Sequence, residues 1–267
     1  MMFLPALNRM WAIALRHGRQ LYTDPLRFLN GFFWPLLDIT IWGFNAQWVQ
    51  QQFVHDPRIQ CAMLAALVGW QVARRAIIDV SFHLYEEMSD RNIANMFASP
   101  LSLVEWVGGI TILSAVNVVA TLFICLVGIK MLYGFNLLAL FGLSLLPFLI
   151  TLFIAGLAFG FVSAGPLFIW GRRVHGFIFV LCWIFAPFSG AFYPITILPP
   201  WWQLIARILP LSYLIDGMRF AVMTGIMPWS LWSIGFVLSL FYYVILFAVF
   251  TLLFMHSKKR GLDRLAD

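Results

Sequence analysis

Six stretches of this chain stay apolar over about the 20 residues that an α-helix needs to cross a bilayer. They run approximately Phe28–Trp48, Gln60–Val80, Leu103–Leu132, Leu137–Phe168, Val174–Phe192 and Trp229–Phe254. This constrains the fold more than any other feature, because inside hydrocarbon every backbone N–H and C=O must find a partner within the chain. The stretches are continuously apolar rather than alternating at period two, which argues for helices over a closed β-barrel. Two of them are long enough to tilt or to project beyond the membrane. Only 10% of the 267 residues are charged, against roughly 25% in soluble domains. A soluble enzyme, a disordered chain and a disulfide scaffold are excluded on that ground. Cys61, Cys125 and Cys182 lie far apart in apolar runs without a C-x-x-C pair, which gives metal and redox roles little support.

A different helix precedes the first stretch. Leu4, Leu7, Trp11, Leu15, Gly18 and Tyr22 recur at steps of three and four, with Arg9, Arg16, His17, Arg19 and Gln20 mainly on other faces. Such a basic amphipathic segment suits the inner leaflet, and Asp24-Pro25 predicts its end. The arginines also interrupt any apolar core of a secretory signal, so the chain is expected to begin near Met1 on the cytoplasmic side. The net charge of +6 reads as orientation rather than as nucleic-acid binding. With both termini inside, the inner segments hold Arg9, Arg16, Arg19, Arg27, Arg91, Arg172, Arg173, Lys258, Lys259, Arg260 and Arg264. The outer segments hold only Arg58, Lys130, Arg207 and Arg219. That bias fits six spans returning the chain to the side it left. No repeat of 20–50 residues and no low-complexity linker divides the chain. One domain over 1–267 is expected: an interface helix at 1–27, a six-helix membrane domain at 28–254 and a cytoplasmic tail at 255–267.

Catalytic motifs are lacking. The three lysines, Lys130, Lys258 and Lys259, do not follow a glycine, so the usual phosphate-cradling loop of a nucleotide hydrolase is missing. Neither H-E-x-x-H nor G-x-S-x-G occurs. His17, His55, His83, His175 and His256 fall in separate segments near membrane edges, where packing or interfacial roles are favoured over metal ligation. No cofactor or metal is expected on this chain.

Three constellations remain. The loop from Glu86 to Pro100 reads as a short helix ended by Ser99-Pro100. Glu87 and Arg91 stand four apart in ion-pairing order, while Ile93, Met96 and Phe97 offer an exposed apolar edge rimmed by charge, as a docking surface would. A plain solvated connector fits the same residues. The second constellation follows the fifth stretch, from Pro187 to Arg219. Its prolines bracket two apolar helices too short to cross, and Trp201 and Trp202 suit the headgroup level. A segment dipping into the outer leaflet and a simple interfacial cap both fit. The third is intramembrane: Arg74 and Arg75, with Asp79 one turn on and Asp38 in the first stretch. These are expected to form an interhelical ion-pair cluster near the cytoplasmic half, unless the second helix projects and its arginines are merely wet. Gly156-x-x-x-Gly160 permits close helix approach, with packing inside the chain favoured over a dimer seam.

The outer segment resembles the hallmark of ABC-2 type transporter permeases. It carries Ser189-Gly190-Ala191-Phe192-Tyr193-Pro194, then Leu198-Pro199-Pro200-Trp201, Leu209-Pro210-Leu211-Ser212-Tyr213 and Asp216-Gly217-Met218-Arg219. Glu87, Arg91, Ser99-Pro100-Leu101-Ser102, Glu105 and Gly108 fall where that family has its coupling helix. The resemblance implies an all-α permease with an interface helix, six spans, a coupling helix and an outer re-entrant segment. It implies a homodimer in the bacterial inner membrane with two separate ABC ATPase subunits, which hold ATP and Mg. Glu86, Glu87, Arg91, Asn95, Met96, Phe97 and Pro100 would then couple to the ATPase. Ser189, Gly190, Phe192, Tyr193, Pro194, Pro199, Trp201, Pro210, Asp216 and Arg219 would form the outer gate. Export of a hydrophobic or amphipathic small molecule or lipid is the favoured activity. A polysaccharide or lipid-linked glycan is the runner-up, and an ion-coupled carrier is the reading from another class.

Overall fold

The computed structural model describes residues 3–23, 25–54, 56–137 and 142–262. Asp24, His55, residues 138–141 of the fourth expected span, and Arg264 in the tail lie outside the described residues. Among the described residues the chain is helical without a strand. In order come α1 (Phe3–Thr23), α2 (Pro25–Val49), α3 (Pro57–Ser89), α4 (Ile93–Ala98) and α5 (Leu103–Tyr133). Then follow α6 (Leu146–Ala164), α7 (Gly176–Phe188), α8 (Pro200–Ile208), α9 (Pro210–Thr224) and α10 (Trp229–Lys259), joined by short helical turns.

Local chemistry sets these boundaries. Pro57 opens α3 behind the Asp56 side chain, which accepts the Arg58 N–H at 2.9 Å. Ser102 and Glu105 form a reciprocal capping box at the start of α5. The same helix stops at Gly134, whose φ of 75° is a left-handed conformation that glycine adopts without a Cβ penalty.

Helix α3 is the hub, packed against α2, α5, α6, α7 and α9. Gly156 and Gly160 bring α6 onto it. A methyl at Gly156 would sit 2.6 Å from the Ala73 carbonyl oxygen, and one at Gly160 would sit 2.9 Å from Val80 Cβ. This glycine pair therefore serves packing within the chain. One apolar core surrounds Trp70, Phe148 and Leu211, and a second surrounds Leu84, Trp106, Phe161 and Phe250 near the far end of α3.

Among the described residues, four helical segments are long and apolar enough to cross a membrane: α3, α5, α6 with its following turns to Val174, and α10. The first expected span falls on α2, which has 25 residues but is interrupted by Pro35, Asp38, Asn45 and Gln47. The fifth falls on α7, whose 13 residues span only about 20 Å, short of the ~30 Å hydrocarbon core. Helix α6 starts at Leu146, later than the expected Leu137, because a 3₁₀ turn occupies 142–145.

Helix α1 falls where the interface helix is expected and leaves Leu7, Trp11 and Leu15 exposed along one side, the arrangement that a lipid-facing stripe would need. Its opposite side is less ordinary. Met10, Ile13, Ala14 and His17 turn inward, and α1 packs along α5. Gly109 of α5 makes this possible, since a methyl there would lie 2.7 Å from both the Met10 carbonyl oxygen and Ile13 Cβ.

Candidate functional site

A cavity of about 380 Å³ lies between α1, α2, α3, α5 and α7. One face of α3 supplies its polar wall: Gln71, Arg74, Arg75, Asp79, His83 and Glu86 recur at three- and four-residue steps and so project to the same side. Trp34 from α2, Phe82 from α3, and Phe179 and Trp183 from α7 supply aromatic surface opposite and around it.

The four intramembrane charges expected to cluster do converge, as two pairs rather than one network. Arg74 lies 3.6 Å from Asp38 across the α2–α3 interface. Gln71 knits that pair together, donating to Asp38 at 2.8 Å and accepting from Arg74 at 2.6 and 3.1 Å. Arg75 pairs with Asp79 at 3.1 Å within α3, and Asn117 of α5 donates to the other Asp79 oxygen at 3.2 Å. Asp38 and Asp79 are both buried. Buried charge is tolerated when it is paired and hydrogen-bonded in this way. Sequence reasoning missed Gln71 and Asn117. Gln71 continues the three–four spacing of Arg74 and Arg75 and was open to detection, whereas Asn117 has no such signal.

At the end of α3 the expectations need correction. Glu87 does not pair with Arg91 along a helix. The chain turns at Asp90–Arg91, where Arg91 takes a left-handed φ of 52°, so α3 and α4 are separate elements. Glu87 is instead fully buried and held by α1: Arg16 meets it at 2.5 Å and His17 Nε2 at 2.9 Å, while Asn92 donates to its other oxygen at 2.8 Å. Arg9 of α1 pairs in the same manner with Glu105 of α5. Arg9, Arg16 and His17 of α1 therefore reach acidic partners on α3 and α5 rather than only lipid headgroups. Ile93, Met96 and Phe97 are not an exposed edge either. All three are buried in the second core, and the Phe97 ring lies 4.6 Å from that of Phe254. The exposed residues here are Asp90, Arg91, Asn95, Ala98, Ser99 and Pro100; Glu86, like Glu87, is buried.

His17 and His83, far apart in sequence, come together with ring centroids 4.7 Å apart. Burial opposes charge on the His17 ring, but the carboxylates of Glu86 and Glu87 outweigh it and raise the His17 pKa above its ordinary value.

The segment expected on the outer side has the two short helices expected of it, α8 and α9, and Arg219 ties it together. Its guanidinium pairs with Asp216 at 2.8 Å and donates to the carbonyls of Gly190 and Ala191. Gly190 has a φ of 77°, a turn that follows the buried Ser189, whose hydroxyl bonds Ala186 and accepts from the Ala191 N–H. Phe192 packs its ring 4.5 Å from Trp42 of α2. Tyr193 is half-buried, Pro194, Pro199 and Trp201 are exposed, and Pro210 is buried at the start of α9. Trp202 stacks on Phe188 at 4.9 Å, which returns α8 to the end of α7.

The described residues form a helical, multi-pass membrane protein with a charged cavity between its helices. Residues 76–256 match the family model described as ABC-2 family transporter protein, and the chain belongs to that family. It is a transport permease, and membership implies partnership with an ABC ATPase. A search of curated proteins finds no match.

Proposed function

We propose that this chain is the permease half of an exporter that moves a hydrophobic or amphipathic small molecule or lipid outward across the bacterial inner membrane. The observation that carries this reading is the cavity, in which paired charges on α3 stand against Trp34, Phe179 and Trp183. Its volume falls in the range of small-molecule sites, roughly 300–1,000 Å³, and supports a compact amphipathic substrate over a polysaccharide chain. Two permeases act with two ATPase subunits that bind and hydrolyse ATP with Mg. Both termini lie in the cytoplasm, and six spans are completed by α2 and by the short α7, which crosses together with the 3₁₀ turn Gly171–Val174 before it. The basic bias of the inner segments supports this orientation.

Coupling runs through the turn and α4. Buried Glu86, Glu87, Met96 and Phe97 hold that element in place, while exposed Asp90, Arg91, Asn95 and Pro100 meet the ATPase. The Ser189–Arg219 segment gates the outer end, with Arg219 as its tie. The reading is tested by affinity purification of the tagged chain in mild detergent. A P-loop ATPase should co-purify, and Asn95→Asp combined with Arg91→Glu should release it while the permease stays folded. A partner-free permease in several detergents, together with transport in vesicles without ATP, would overturn it.

A further inference from the structure

We propose that His17, His83 and Glu86 form a binding site for a divalent transition-metal ion of the zinc type. Ligand atoms of these three residues all lie within 4.8 Å of one another, and all three residues are buried. His83 Nδ1 stands 2.9 Å from Glu86 Oε2, and His17 Nδ1 stands 3.7 Å from the same oxygen. In a tetrahedral zinc site with bonds of about 2.0–2.1 Å, ligand atoms are about 3.3 Å apart, so small side-chain rotations convert this triangle into a coordination shell. Two imidazoles and one carboxylate are the donors that such ions accept, and three protein ligands leave a fourth position open.

Two independent features point the same way. All three residues also line the 380 Å³ cavity, which gives the ion an entry path and room for a water or a ligand in the fourth position. The second His17 nitrogen, Nε2, lies 2.9 Å from Glu87, within reach of a hydrogen bond once the ring turns into line. Metal-bound histidines commonly donate their other N–H to a carboxylate, which fixes the tautomer and orients the ring. Glu87 is in turn fixed by Arg16 and Asn92. Glu86 would offset part of the charge of a divalent ion, while Glu87 is already paired with Arg16. The site joins α1 to the last turns of α3, immediately before the Asp90–Arg91 turn.

The test uses the full chain in detergent, purified on a tag without histidine, stripped with chelator and titrated with Co²⁺ as the probe. One ion per chain should bind with the intense visible absorption of a tetrahedral site, and Zn²⁺ should displace it. His17→Ala and Glu86→Gln should each weaken binding at least ~10-fold, while His256→Ala, on an exposed residue of α10, should bind as the parent does. X-ray absorption at the zinc edge of the unmodified chain needs no variant to fold, and should show a nitrogen–oxygen shell containing two imidazoles. Absence of stoichiometric binding, binding that survives both ligand variants, or a shell without imidazole would overturn the proposal. A failed ATPase capture would leave these results unaffected, so the two readings fall separately.

Discussion

The polar residues of α3 are arranged so that removing one partner costs more than removing two. Arg74→Met leaves Asp38 buried with only Gln71 to satisfy it, and breaking a buried pair in this way costs about 3–5 kcal/mol. The double variant Asp38→Asn/Arg74→Gln should recover part of that loss, and thermal unfolding in detergent measures both. Phe97 gives a second prediction. Because its side chain fills the second core, Phe97→Ala should lower stability by about 3–5 kcal/mol. Asn95→Ala, on the exposed side of the same short helix, should leave the melting temperature unchanged. The contrast shows why the sequence misled here. Apolar residues between charged ones look like an exposed docking edge, and only the tertiary position of α10, with Phe254 beside Phe97, reveals that they are covered. Arg74, Arg75 and Asp79 were legible because charge inside an apolar run is unusual wherever it occurs. His17 was not legible as their neighbour, since nothing in the chain signals that a residue 66 positions before His83 will lie against it.

At the level of elements, the interface helix shows both what periodicity reports and what it omits. The apolar stripe of α1 predicts its exposed side correctly, but the ion pairs of Arg9 and Arg16 with α5 and α3 depend on how helices distant in sequence are placed. Gly109 controls that docking. Gly109→Val should push α1 off α5, destabilising the protein by about 1–3 kcal/mol through overpacking and raising the accessibility of a cysteine introduced at Ile13. The outer segment was the most readable element, because prolines and glycines mark its turns directly. Gly190→Leu must place a branched side chain at a φ of 77°, where left-handed backbone costs roughly 1–2 kcal/mol, and its Cβ would press on Ile195 at 3.3 Å. Export should fall sharply while membrane insertion and ATPase capture persist, which a transport assay paired with a pull-down distinguishes. The expected length of the fifth span was less readable. Pro187 and the Ser189-Gly190 turn stop α7 early, although the sequence remains apolar well beyond them.

For the molecule as a whole, the family and the helical membrane architecture follow from hydropathy and from the motif-bearing outer segment. The cavity does not, since it exists only because α1, α2, α5 and α7 converge on one side of α3. Its polar wall lies on one uninterrupted helix of 33 residues, about 50 Å long, which ends at the turn proposed to meet the ATPase. An α-helix resists both stretching and unwinding, because its hydrogen bonds would have to break in concert. A torque applied at Asp90 would therefore reach Arg74 as rotation of the whole rod. Gln71, Arg75 and Asp79 would swing past Trp183 together, and the chamber would change what it presents to its cargo with no intervening joint.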